Sequence, residues 1–268
     1  MAKQVGHIKY NGTLGDVRHF KIKGLEGDFA GLKGGPSGEQ IKNAPEFQRT
    51  RENNSEFGGS AIAGKSVRVG LSSLLTTMSD SRLTSRLTSI FKQINIKATS
   101  GIRGQRPITL STNKNLLNGL EFNNNTAFAG ICNVPFSMTN VASRTGATIS
   151  ISGFTPVTNI NAPIGATHFR LIGAISVVSD YIYDSATKKY LPTSPALNGL
   201  NNVSYSSYFD LNQAITGTTT ITTALPGSPT MTTDTSVLSC IGIEFYQKVG
   251  LNYYTFSANN ALKIGSIF

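Results

Sequence analysis

Residues 167–183, Thr167-His-Phe-Arg-Leu-Ile-Gly-Ala-Ile-Ser-Val-Val-Ser-Asp-Tyr-Ile-Tyr183, decide the fold class, because no other stretch is so continuously apolar and β-branched. Ile172, Ile175, Val177, Val178 and Ile182 suit a pleated surface, and Phe169, Leu171, Tyr181 and Tyr183 add bulk near both ends. Gly173 inside the run and Ala162-Pro-Ile-Gly165 before it favour a buried strand entered through a turn.

Around this strand the composition is rich in Thr, Ser, Asn, Ile and Val from about residue 105 onward. Further strands are expected at residues 108–111, 128–132, 148–154, 203–211, 218–223, 237–249, 253–257 and 262–267. Short strands separated by Pro, Gly and Asn clusters, with no helical period between them, point to an antiparallel β-sandwich. The Thr-rich residues 216–235 read as an exposed hairpin or loop.

Upstream the period changes. Val67, Leu71, Leu74, Leu75 and Met78, then Leu83, Leu87, Ile90, Phe91 and Ile94, both follow i, i+4, i+7, i+8, i+11, which is one helical face each. Ser79-Asp80 between them is a natural joint, so an antiparallel helical hairpin is expected. A shorter helix is expected over residues 44–53, capped by Asn43 and broken at Gly58-Gly59, after a loop over residues 34–43. The first 33 residues read as short strands at 5–10, 17–23 and 28–33, with a tight turn at Asn11-Gly12.

The chain therefore reads as mainly β with an α-helical hairpin, an α+β fold in three parts. Residues 1–60 form a basic, Gly-rich β-ribbon arm with a short helix, 61–100 two amphipathic helices, and 101–268 an antiparallel β-sandwich, with the domain boundary near 95–105. Charged residues are only 14% of the chain, and its formal charge of +10 is unevenly placed. Residues 1–106 carry 17 Lys and Arg against 8 Asp and Glu; residues 107–268 carry 7 against 6.

Constellations for chemistry are thin. His7 and His19 lie on the glycine-rich ribbon, and His168 reads as a partly exposed strand residue. No Gly-x-Ser-x-Gly elbow and no calcium-loop spacing of acids is present, and Gly34-Gly-Pro-Ser-Gly38 lacks the ending of a phosphate-binding loop. Cys132 and Cys240 are distant in sequence and lack metal-ligand spacing, so they read as free thiols packed as small apolar groups. No catalytic residue, metal, cofactor or small-molecule substrate is indicated. The start of the chain lacks an apolar signal region and no run is long enough to span a membrane, so a cytoplasmic location is expected, with any extracellular role reached by lysis or an unrecognised export route.

Asn11-Gly-Thr-Leu-Gly15, Lys33-Gly-Gly-Pro-Ser-Gly38, Arg49-Thr-Arg-Glu-Asn53, Glu56-Phe-Gly58, residues 162–170 and Asn260-Ala-Leu-Lys263 resemble a family of uncharacterised proteins in Bacteroidetes genomes. The resemblance spans most of the chain and implies no activity, cofactor or catalytic residue.

A ribbon this short has too little apolar face to stand alone, and a free strand edge recruits another chain. The expected function is a non-enzymatic structural protein that self-assembles into a tube, filament or shell by arm exchange between copies. Its candidate assembly residues are Ile8, Tyr10, Val17, Phe20, Ile22, Phe29 and Phe47. The first alternative is a coat-like or nucleoid-associated protein in which Lys21, Lys23, Lys33, Lys42, Arg49 and Arg51 contact nucleic acid. The second is a carbohydrate-binding or adhesive β domain using Tyr205, Tyr208, Phe209, Tyr253 and Tyr254.

Overall fold

The computed structural model describes residues 1–268, whose contacts divide them into two units, Met1–Arg51 and Glu52–Phe268. The first unit is a four-stranded antiparallel sheet of β1 (Ala2–Gln4), β2 (Gly12–Leu14), β3 (Val17–Phe20) and β4 (Asp28–Leu32), in the order β1-β4-β3-β2. The sharp turn falls at Gly15-Asp16, where Gly15 has φ +59°, and residues 5–10 form no strand. The expected loop at 34–43 contains a helix, α1 (Gly38–Asn43). Ser37 and Gln40 form a reciprocal capping box there, so Ser37 is the cap that starts helical structure and Asn43 ends it. A 3-10 turn, Pro45–Phe47, leads on to α2 (Gln48–Gly70).

Gly58 and Gly59 do not break α2. Its buried side is lined by Glu56 and then by Gly59, Ser60, Ala63, Gly64, Ser66, Val67 and Gly70, mostly small residues that admit close neighbours. A Cβ on Gly59 would sit 2.5 Å from Tyr190 Cγ, and one on Gly70 would collide with Ser176 Oγ. The helix continues because packing against distant residues offsets the weak helix propensity of glycine. At Leu71 the backbone leaves helical geometry, so the single expected helix ending at Met78 is divided into α2 and α3 (Ser72–Met78). Next comes α4 (Leu83–Ile96), introduced by Asp80, which accepts the Arg82 N–H at 2.8 Å.

The remaining elements are α5 (Phe128–Ile131), β5 (Phe136–Asn140), β6 (Gly146–Ile151), α6 (Pro156–Asn159), β7 (His168–Ser179), β8 (Tyr181–Asp184), β9 (Lys189–Pro192), β10 (Asn201–Tyr205), β11 (Phe209–Asp210), β12 (Thr219–Ala224), β13 (Thr235–Val249), β14 (Asn252–Thr255) and β15 (Ala261–Ile267). Strands hold 34% of the residues and helices 24%, an α+β fold with the larger share in strands. The run expected as a strand at 128–132 is the one-turn helix α5, whose first N–H, from Phe128, is taken by Glu121 Oε2 at 2.9 Å. Residues 108–111 make only an isolated bridge, Ile108 to Tyr181.

β7 pairs with β13 along its whole length, from Thr235↔Ser179 to Tyr246↔His168. β10, β11, β14 and β15 complete this sheet, while β12-β6-β5 form a second one and β8-β9 a hairpin. Successive side chains of the long pair go to opposite layers. Ile172, Ala174, Val178, Leu238 and Cys240 pack with Val67, Leu74, Met78, Leu87, Phe91 and Ile94 of the helices. Phe169, Leu171, Ile241, Ile243 and Phe245 pack with Ile149, Ile151 and Ile221 of the small sheet. Residues 52–268 are thus a helical layer, a central sheet and a second sheet, and the sandwich comprises the latter two.

Two expectations change as a result. The composition shift at 95–105 is not a packing boundary, since the helices share a core with the sheet. Nor are residues 216–235 wholly exposed: Ile221 and Thr223 on β12 are buried against the central sheet. Cys132 and Cys240 are both free and buried, on opposite sides of the central sheet.

Neighbouring glycines provide a test of the α2 packing. Gly58→Ala, with open space around it, should stabilise the protein by up to about 1 kcal/mol. Gly59→Ala should destabilise it by roughly 1–3 kcal/mol through overpacking on Tyr190. Urea unfolding of the two variants distinguishes the cases; equal effects would contradict this packing.

Candidate functional site

In the first unit no residue is buried. The register assigns its side chains to two faces, since residues directly opposite in an antiparallel sheet share one. His19 lies opposite Gly12 and Ala30, Val17 opposite Leu14 and Leu32, and Gln4 opposite Asp28. That face is largely apolar, with Leu14 65% and Leu32 83% exposed. Its one strand carboxylate, Asp28, is within 3.5 Å of Lys9 Nζ and 3.8 Å of Lys21 Nζ.

The other face carries Lys3 opposite Phe29, Phe20 opposite Phe29, and Arg18 opposite Gly31 and Thr13. Phe20 and Phe29 stack at 6.4 Å between centroids and 29° between planes, and the Arg18 guanidinium lies 5.4 Å from the Phe20 centroid. Both Phe rings are half-buried, while Lys3 and Arg18 are exposed.

The candidate assembly residues are therefore divided between environments. Val17 is on the apolar face, Phe20 and Phe29 on the opposite one, and Ile8 and Tyr10 in the exposed segment between β1 and β2. Ile22 and Phe47 are half-buried outside the strands. Of the candidate nucleic-acid contacts, Arg51 is engaged locally, donating to the Ile41 and Ala44 carbonyls at 2.9 and 2.8 Å, and Lys42 sits in the last turn of α1. Lys21 faces Asp28, Lys23 and Lys33 are exposed, and Arg49 lies in the first turn of α2. Lys3 and Arg18 are among the basic residues of the N-terminal part that the sequence offers for phosphate contact, and the register adds that both share a face with Phe20 and Phe29.

The second unit contains three polar clusters. Glu56, 1% exposed, accepts from Arg106 Nε and Nη2 at 2.7 Å each, Lys92 Nζ at 2.6 Å and the Gly104 N–H at 2.8 Å. Burial alone pushes this carboxyl up, but the Arg106 and Lys92 hydrogen bonds outweigh it and hold it at about 2. Asn95 donates to the Arg106 carbonyl at 2.7 Å and Tyr190 does so at 3.0 Å, so α2, α4 and β9 all grip residues 104–107. Asp180 accepts the Ser111 N–H at 2.9 Å, and its carboxyl is raised by burial and by the nearby charge of Asp234. Burial also disfavours the charged form of Asp234, yet hydroxyls of Thr193, Thr232 and Ser194 hold it down at about 2. Both carboxylates are spent on internal hydrogen bonds. A cleft of about 650 Å³ beside α2 and α4 is lined by Phe57, Ala61, Thr84, Thr88 and Lys92, and the Lys92 amine is spent on Glu56.

The third cluster lies at the end of the central sheet, on the face shared with the helices. Arg170 sits 4.1 Å from the Tyr205 centroid and 4.8 Å from that of Tyr208, and Tyr208 stacks on Tyr253 at 3.8 Å and 6°. Lys248 and His168 meet Tyr253 in turn. This ladder spends most of its ring faces on itself and leaves Tyr205 and Tyr208 partly exposed at its margin, while Tyr254, next along β14, lies on the opposite face of the sheet. Phe209 turns away to pack on Phe169 in the small-sheet core.

No family model, curated protein or solved structure matches this chain. The kinship suggested by its N-terminal motifs therefore gains no activity or residue role from a relative. No helix is long and apolar enough to cross a membrane, and no three His, Cys, Asp or Glu side chains are grouped to hold a metal ion.

The Glu56 clamp has a pH signature. Its folded pKa lies below the ordinary 4.5, so its contribution is fully present above about pH 4.5 and is lost as pH falls toward about 2. That contribution is about 3 kcal/mol. Glu56→Gln should cost about 3–5 kcal/mol at neutral pH by leaving Arg106 and Lys92 unpaired, and should flatten the acid limb of the stability curve. Parallel acid limbs in urea titrations of the two proteins would contradict the clamp.

Proposed function

We propose that this chain is a non-enzymatic structural protein that assembles with further copies of itself through residues 1–51. The observation that carries the reading is a complete four-stranded sheet in which no residue is buried. Small sheets with a solvated apolar face are marginal in water and gain stability when that face is covered. The face bearing Leu14, Val17, Ala30 and Leu32 supplies apolar area, and β1 and β2 leave one edge each without a strand partner.

A second copy of the same unit fits both features. Two such sheets can pack face to face as a sandwich about a twofold axis, and the open edges allow strand addition, which propagates when the contact does not close. The core stripes of the helices need no neighbour for this, because Val67, Leu74, Met78, Leu87, Phe91 and Ile94 are buried within their own chain. A tube, filament or shell built this way would be held by the first unit alone.

Light scattering on the full chain tests the reading. The expected result is a mass that is a multiple of 28.6 kDa and grows with concentration. Leu14→Asn combined with Leu32→Asn should return it to the single-chain mass, whereas Ile164→Asn, at a fully exposed position of the second unit, should not. A wild-type protein that stays at the single-chain mass at high concentration would overturn the proposal.

A further inference from the structure

We infer that the opposite face of the N-terminal sheet, carrying Phe20, Phe29, Arg18 and Lys3, is a binding platform for single-stranded nucleic acid. Phe20 and Phe29 stand directly across from each other on β3 and β4, the two central strands of the sheet. Their stacked rings, 6.4 Å apart, form a contiguous aromatic patch that solvent reaches. Four-stranded antiparallel sheets that present aromatics in this way take unpaired bases by stacking, which works with any base because each has a π-face.

Charge on the face has the matching sign. Lys3 and Arg18 flank the rings, and the strands place no carboxylate there, since Asp28 points to the other face and is met by Lys9 and Lys21. Arg18 lies over the Phe20 ring, 5.4 Å from its centroid, at the side of the patch where its guanidinium would reach a phosphate or stack on a base. Exposed Lys21, Lys23 and Lys33 surround the sheet and extend the positive field beyond it. A glycan would use the rings but not the cations, and an acidic peptide the cations but not two stacked rings; nucleic acid uses both. Duplex fits poorly, because its bases are already stacked and unavailable to Phe20 and Phe29.

The test uses the full chain and fluorescein-labelled single-stranded RNA and DNA of mixed sequence, with a duplex of equal length, followed by fluorescence anisotropy over a range of salt. Single strands should bind more tightly than duplex. Phe20→Leu and Phe29→Leu, which keep apolar volume and remove the π-face, should each weaken binding about 5- to 150-fold. Phe20→Tyr with Phe29→Tyr should retain it, which separates loss of stacking from loss of folding. Arg18→Ala and Lys3→Ala should each lower the salt slope by about 0.7. Absence of single-strand binding, equal binding of duplex, or Leu variants that bind like the wild type would each overturn the inference. Leu14→Asn with Leu32→Asn changes the other face and no charge, so it should leave oligonucleotide binding intact even if it abolishes self-association.

Discussion

The twelve-residue antiparallel pairing of β7 with β13 is the constraint on which the larger unit depends. Because side chains alternate, one pair of strands supplies two cores at once, even-numbered residues to the helices and odd-numbered ones to the small sheet. A slip of one residue would exchange every side chain between layers, so the register is fixed by burial on both sides. Gly173 shows how tightly the layers meet. A Cβ there would lie 2.9 Å from both Ile221 Cγ2 and Thr223 Oγ1, so only glycine lets β12 cross at that point.

The two units solve the same physical problem differently. Residues 52–268 bury their apolar stripes internally, and where charge is enclosed, as at Glu56, it is matched by three donor groups from Arg106, Lys92 and Gly104. Residues 1–51 have regular strands, a capped helix and a defined register, yet none of them is fully buried. Order without a core is what the proposed pairing with a second copy would complete. The two faces of the sheet differ in character, one apolar and one aromatic with cations, so the two proposed contacts would not compete for the same surface.

Much of this was legible in the amino-acid pattern. The apolar run at 167–183 and the stripe from Leu83 to Ile94 report burial through periodicity alone; the stripe became α4, while the run is divided at Asp180 into β7 and β8, which pairs with β9 outside the central sheet. Gly58-Gly59 misled because the group that makes those glycines useful, the Tyr190 ring, is far away in sequence. Phe128–Ile131 misled because four apolar residues fit either a strand or one helical turn, and Glu121 decided between them. The pairing of Phe20 with Phe29 on one face, away from Asp28, required the register between β3 and β4, which no local pattern contains. Fold class follows from local periodicity; the candidate site follows from which strands meet.

Hydrogen–deuterium exchange as a function of protein concentration tests the central claim most directly. Amides of β7 and β13 should be protected at every concentration, since their cover lies in the same chain. Amides at the β1 and β2 edges and along β3 and β4 should exchange rapidly in dilute protein and become protected as concentration rises. Strong protection of residues 1–51 that is already complete in dilute monomer, or rapid exchange that persists at the highest concentration, would contradict an N-terminal sheet completed by another copy.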